Sequence, residues 1–300
     1  MPLNFDTLSS FIALSNQKTE HHVGYCGDEQ EEILHTISHE FSDLPAGESF
    51  AVKHENGAII GVLGADVDLG DGTAELWGPF LKEGQPAELA LELWEDLTTR
   101  LGDKVHTYYG FYNERNTLAT DFMNRVGACK GSQHLIMHAS KQKGVRVDSQ
   151  VDELSPERHM SFIKMHDEAF PETYMSGLDI LKHLDHEHKV FAVESEAGIK
   201  GYAYVKGRPT YNEGTIEFIA VDPAERHQGI GTALTKAALA FLQDELEIHT
   251  VSMTVDAGHE QAIRLYGRAG FEVVHRMEHY VVRVTNGTKG MRRIRNGCVE

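Results

Sequence analysis

Residues 214–233 read GTIEFIAVDPAERHQGIGTA. The run from Ile216 to Val221 is apolar apart from Glu217 and stops at Asp222-Pro223, the pattern of a buried strand that ends where proline removes a donor. Leu234, Ala238, Phe241 and Leu242 then recur at helical spacing and place a helix over residues 232–242. Between strand and helix stand Arg226, His227, Gln228, Gly229, Ile230 and Gly231. Two glycines let a backbone come close to a ligand. The first N–H groups of a helix have no partner inside it and carry partial positive charge. Strand, glycine loop and helix start together make an anion site, for which pyrophosphate is the usual occupant. The loop is not a Walker loop, because no Gly-Lys-Ser/Thr ends it, nor is it the dinucleotide GxGxxG.

Working outward, the chain reads as one unit written twice. NERNTLATDFMNRVGACKG, from Asn113, aligns with DAGHEQAIRLYGRAGFEVV, from Asp256, at a shift of 143: Ala119 meets Ala262, Met123 meets Tyr266, and Gly127 meets Gly270. TAELWGP, from Thr73, aligns with TIEFIAVDP, from Thr215, at a shift of 142, and IIGVLG, from Ile59, with IKGYAY, from Ile199, at 140. Three segments in one order with nearly constant spacing indicate duplication. In each half a helix, a β-hairpin, a strand, a helix, a strand, a helix and a strand succeed one another, which gives an α/β (α+β) class with a mixed sheet. The expected organisation is a first domain over residues 1–140, a linker over 141–150, a second domain over 151–285 and a basic tail over 286–300.

Composition narrows the function. The net charge is −18, and residues 1–100 hold 19 acidic against 4 basic side chains. A surface of that sign repels phosphate backbones and anionic lipid, so neither nucleic acid nor membrane is an expected partner, whereas a cationic amine is suited to it. Cys26, Cys129 and Cys298 are odd in number and far apart, without a disulfide framework or a CxxC pair. His35 and His39, and likewise His183, His186 and His188, lack the accompanying ligands of a metal site, so no metal is expected. No basic, apolar leader opens the chain and no apolar stretch is long enough to span a bilayer, which gives a cytoplasmic expectation.

With the loop, the preceding strand and the later AIRLYGRAGF in place, the sequence resembles the GNAT superfamily of acetyl-CoA-dependent N-acetyltransferases, whose signature is [Q/R]-x-x-G-x-[G/A]. The resemblance carries its motifs over residues 150–284, and residues 1–140 resemble the same fold without the cofactor motif, giving two tandem GNAT-like domains, each a mostly antiparallel mixed sheet flanked by helices. It implies acetyl-CoA as cosubstrate. Arg226, His227, Gln228, Gly229, Ile230, Gly231 and Thr232 would cradle the pyrophosphate, and the edge at Ile219, Ala220 and Val221 would pair with the pantetheine arm in a slot between two splayed strands. Tyr266 falls where the family places a general acid, or is a packed aromatic. His259 stands where the family often has a pantetheine-binding asparagine.

An alkylammonium must lose a proton before it attacks a thioester, which asks for a base or a water relay. Glu217 is the leading candidate base; it shares a strand face with Thr215 and Ile219 if no bulge intervenes. His166, Asp167 and Glu168 are alternatives, and His166 and Glu168 with Tyr174 are the expected acceptor-binding residues. At the 143-residue shift, Glu83, Pro86 and Glu88 fall on Arg226, Gly229 and Gly231, so the first half has lost the loop. The expected activity is acetyl transfer to a primary amine of a small molecule or peptide, by direct attack in a ternary complex. A CoA-binding regulatory module, or a transferase for another acyl-CoA, is the alternative. The acceptor and the oligomeric state are not legible.

Overall fold

The structure, a computed structural model, describes residues 3–141, 147–171, 173–285 and 293–294. The chain forms two compact units, residues 1–134 with 275–300, and residues 135–274.

In the first unit α1 (Phe5–Asn16), α2 (Gln30–His39) and the single turn α3 (Ala46–Ser49) lead into β1 (Phe50–Glu55), β2 (Ala58–Asp68) and β3 (Thr73–Leu81). There follow α4 (Glu88–Leu101), β4 (Thr107–Asn113), α5 (Thr117–Arg125) and the start of β5 (Cys129–Ser140). The helices bury Leu8, Ile12, Ile33, Ile37, Leu93 and Leu97 in one apolar core with the sheet. α1 is capped by Asn4, whose side chain accepts from the Thr7 amide. α2 begins after Glu29 with no side-chain cap.

The second unit repeats the order: β6 (Val151–Glu153), α6 (His159–Ala169), α7 (Gly177–Lys182), β7 (His188–Ser195), β8 (Gly198–Arg208), β9 (Glu213–Val221), α8 (Ile230–Ala240), β10 (Thr250–Asp256), α9 (Glu260–Arg268) and the start of β11 (Glu272–Thr285). Its strands run β5-β10-β9-β8-β7-β6. Alternation on β8 separates two layers. Ala203 and Val205 pack on the α8 side with Leu234, Ala237 and Ala238. Tyr202 and Tyr204 pack on the α6 side with Phe162, His166 and Phe218.

Duplication is visible element by element. β4 and β10, α5 and α9, and β5 and β11 begin 143 residues apart, at Thr107 and Thr250, Thr117 and Glu260, and Cys129 and Glu272. The loop after the third strand keeps no such register. β3 and β9 end 140 residues apart, at Leu81 and Val221, while α4 and α8 start 142 apart. The first loop is therefore two residues shorter, and the one-to-one match of Glu83, Pro86 and Glu88 with Arg226, Gly229 and Gly231 does not hold. Counted from the helix starts, Ala87 and Leu89 stand where the second unit has Gly229 and Gly231, and the shorter loop has a left-handed glycine of its own at Gly84.

The division between the units also differs from the expected 1–140 and 151–285. The last strand leaves the second unit after Val274: residues Met277–Arg283 pair antiparallel with Thr107–Asn113 of β4, inside the first unit. The first half thus takes one of its strands from the end of the chain. Residues 142–146 of the expected linker and 286–292 and 295–300 of the basic tail lie outside the described residues. Cys26 is free and buried, whereas Cys129 is disulfide-bonded, a bond its spacing did not suggest. Among the described residues no helix is long and apolar enough to cross a membrane, and no group of three or more His, Cys, Asp or Glu is placed to hold a metal.

A chain ending at Val274 keeps the whole second unit but strips β4 of a seven-residue antiparallel partner. Such a chain is expected to aggregate or lose its cooperative melt, because an unpaired central strand exposes its full row of backbone groups. A truncated chain that melts within about 2 °C of the full one would contradict the shared-strand arrangement.

Candidate active site

The ladder between β9 and β10 is parallel and short. It runs through Glu213 with Thr250, Gly214 with Val251 and Thr215 with Ser252, and then stops. From Ile216 to Val221 the edge of β9 on that side has no strand partner. The two strands part there, and Ile219, Ala220 and Val221 lie along the open edge, each partly exposed.

At the mouth of the splay the chain turns into α8. His227 and Gly229 adopt left-handed backbone conformations, with φ of +65° and +84°. Turns of this kind gather successive N–H groups into one concavity. The first helical hydrogen bond is from the Ala233 amide to the Gly229 carbonyl, at 3.0 Å. Among the described residues the amides from His227 to Thr232 find no acceptor. Six donors and the positive end of a helix are what a diphosphate requires. A side chain on Gly229 would meet nothing within 4 Å, so what favours glycine there within the chain is its left-handed φ. At Gly231 an added Cβ would come within 2.9 Å of Leu265 Cδ1.

The polar side chains of the loop are arranged around it. Gln228 Nε2 donates to Glu225 Oε2 at 3.0 Å, which also takes Lys200 Nζ at 3.2 Å. Arg226 Nε donates to the Val221 carbonyl at 3.3 Å, tying the loop to the end of the strand. Ile230 is buried and anchors the helix start.

Tyr266, on α9, is buried in the core beside Phe271, and burial pushes its phenol up to about 12. Its hydroxyl makes no hydrogen bond within the described residues. At neutral pH it holds its proton, as a proton donor must. His259 is the exposed residue before α9; its amide donates to the Asp256 carbonyl at 3.0 Å, and its ring caps nothing.

A bulge decides where Glu217 points. Tyr204 opposes Phe218 and Val205 opposes Ile216, which leaves Glu217 as the extra residue. Ile216 and Ile219 consequently pack on the α8 side, while Phe218 packs on the α6 side with His166, Phe170 and Tyr174. Glu217 also lies on the α6 side: Tyr174 Oη donates to its Oε1, and Lys206 Nζ stands 3.8 Å from its Oε2. Ile219, expected on the face of Glu217, is turned to the other. Burial, with the charge of Glu217 nearby, pushes the Tyr204 phenol up to about 12.

Two of the expected acceptor residues are elsewhere. His166 is fully buried, with Nε2 donating to the Met175 carbonyl at 2.8 Å and Nδ1 accepting from Tyr202 Oη at 2.6 Å. A carbonyl can only accept, so Nε2 carries a proton and donates it. Both nitrogens are spent, and none remains for an acceptor. Glu168 lies on the solvent side of α6, 3.9 Å from Lys164. Only Tyr174 joins Glu217. Sequence reasoning missed Lys206, which strand alternation on the neighbouring hairpin could have supplied.

The first unit has the same splay and has closed it. Its β3–β4 ladder also stops after three pairs, at Glu75 with Tyr109. Beyond that point the fully buried Tyr112, on β4, donates from Oη to the Gly78 carbonyl on β3 at 2.8 Å, bridging the gap. Val255 is the counterpart 143 residues on and cannot do so. At the start of α4, Leu89 and Ala90 donate to Pro86 and Ala87 at 3.1 Å. The Glu88 carboxylate accepts from its own amide and pairs with Arg125 at 3.2 Å, both of which lower its pKa. A side-chain carboxylate thus sits where the second unit leaves its donors open.

Residues 159–271 match the acetyltransferase (GNAT) family. A mycothiol acetyltransferase of Paenarthrobacter aurescens is 34% identical over 91 residues, 29% of this chain, and the matched part spans only 28% of that protein. In fold, the chain is similar along nearly its whole length to a GCN5-related N-acetyltransferase from Sphaerobacter thermophilus, with a TM-score of 0.72 at 17% identity over 94% of this chain and 93% of that one. It is similar as well to a tandem GNAT protein from the clavulanic acid biosynthesis pathway, with a TM-score of 0.65 at 14% identity over 93% and 94%. The family match thus covers residues 159–271, within the second unit, on a fold whose element order the first half repeats.

Proposed function

We propose that the chain is an N-acetyltransferase that moves the acetyl group of acetyl-CoA to a primary amine, through the second unit alone. The observation that carries this reading is the splayed β9 edge ending in six unpaired amides. One edge fits an extended amide-bearing arm, and the other feature fits the pyrophosphate at its end. Arg226, Gln228 and Thr232 surround that loop, and His259 is exposed at the opposite helix start.

Acetyl-CoA, when bound, supplies the acyl thioester. Glu217 takes the proton from the acceptor ammonium, on the face walled by Tyr174, Phe218 and Phe170. The amine lone pair then forms the C–N bond, the C–S bond breaks, Tyr266 gives its phenol proton to the departing thiolate, and the second proton released from nitrogen as the amide forms goes to solvent, from which Tyr266 is reprotonated. A backbone N–H on the open edge of β9 is available to the thioester oxygen as charge develops there. The acceptor is a small molecule or a peptide end, and the acidic first unit favours one that carries positive charge.

Replacing Gly229 by valine costs an unfavourable left-handed φ and places branched carbons where the pyrophosphate must approach. Calorimetry with acetyl-CoA is expected to show one site per chain and an affinity at least about tenfold weaker in this variant. An unchanged affinity would remove the basis of the assignment, and two sites per chain would contradict the closed first unit.

Tyr266→Phe is expected to lower kcat by about tenfold or more and leave acetyl-CoA affinity nearly unaltered, because the phenol acts only as the thiolate leaves. With its pKa raised to about 12, Tyr266 remains protonated across the neutral and mildly alkaline range. Activity should therefore show no alkaline loss from this group below about pH 11. Wild-type turnover in the phenylalanine variant would return Tyr266 to the core.

A further inference from the structure

Tyr174 is an exposed aromatic with an ordered task. It has 68% of its surface open, so burial contributes little to holding it. What holds it is directional: its hydroxyl donates to Glu217 Oε1, and its ring lies 5.9 Å from that of Phe218. The next residue is fixed from below. Met175 offers its carbonyl to the buried His166, and the Gly177 amide donates to Asp167 Oδ1 at 2.8 Å. Tyr202 completes the chain by donating to His166. The buried histidine that fails as an acceptor ligand thus ties the segment carrying Tyr174 to the sheet.

Glu217 needs such support. As the extra residue of a bulge it has no opposite neighbour on β8 to pack against, and a glutamate side chain has enough rotamer freedom to lose its aim. Tyr174 takes one carboxylate oxygen, and Lys206 stands 3.8 Å from the other.

We infer that Tyr174 is a positioning residue: its hydroxyl holds the Glu217 carboxylate in the orientation that receives the acceptor's proton, while Lys206 keeps the second oxygen turned toward β8. This rests on the reading of Glu217 as the base. Tyr174 itself exchanges no proton in the reaction; it donates one hydrogen bond before and after. A tyrosine that merely walled the acceptor face would be replaceable by phenylalanine, which retains the ring and its contact with Phe218.

The full chain is tested in two ways. Uniform labelling of glutamate side-chain carboxyl carbons, with the Glu217 resonance assigned by its absence in Glu217→Gln, reads the hydrogen bond without any substrate. In Tyr174→Phe that resonance is expected to move and broaden. Kinetics use acetyl-CoA and whichever primary amine releases CoA thiol fastest with the wild-type chain. Tyr174→Phe and Tyr174→Ala should lower kcat alike, by about tenfold, with the KM for acetyl-CoA unchanged. In a Glu217→Gln background Tyr174→Phe should cost less than about twofold, since no base remains to be aimed. An unmoved resonance together with wild-type kcat in Tyr174→Phe overturns the positioning role and leaves Glu217 as base. Wild-type kcat in Glu217→Gln overturns the base itself, and the positioning role with it.

Discussion

Three backbone pairs between β9 and β10, and no fourth, are the constraint on which the second unit depends. A strand edge without a partner leaves N–H and C=O groups that must be satisfied by something else. Here the open edge continues into a loop with two left-handed residues and then into a helix whose first amides are equally without acceptors. The arrangement is costly for the protein alone and becomes favourable with a ligand that is extended and amide-bearing at one end and doubly anionic at the other. The bulge at Glu217 belongs to the same local distortion. It turns the carboxylate onto the α6 side, beside Tyr174 and away from the packed α8 side.

The first unit shows what happens when the same constraint is met from within. Its strands part at the same point, yet Tyr112 spans the gap and Glu88 occupies the helix start. Both groups come from the protein itself, a donor for a strand carbonyl and a carboxylate for the first amide of the helix. Two copies of one fold thus differ here in a handful of groups that satisfy, or leave unsatisfied, the same backbone. The first unit also draws its β11 strand from the end of the chain, so duplication did not yield separable halves.

Much of this was legible in the residues. The duplication and the strand–loop–helix with its glycines follow from sequence pattern alone. What was not legible is long-range. Strand alternation predicts Ile219 on the face of Glu217, and only pairing with Tyr204 and Val205 reveals the inserted residue that reverses it. His166 looks like a site residue by its neighbours in sequence, but Tyr202 and the Met175 carbonyl, which consume its nitrogens, are brought to it by tertiary structure. The exchange of β11 leaves no mark on a strand whose own pattern is ordinary. Tyr112 and Glu88 read as unremarkable strand and helix residues until their partners are seen.

The central claim is that the open edge of β9 and the amides at the start of α8 are one ligand site, and that their counterparts in the first unit are closed. Amide hydrogen exchange, followed residue by residue with and without saturating acetyl-CoA, tests it most directly. The account predicts slowed exchange at residues 216–221 and 227–232, and no change at residues 76–81 and 88–90. Equal protection of both sets, or unchanged exchange at 227–232 in a chain that binds acetyl-CoA, would contradict it.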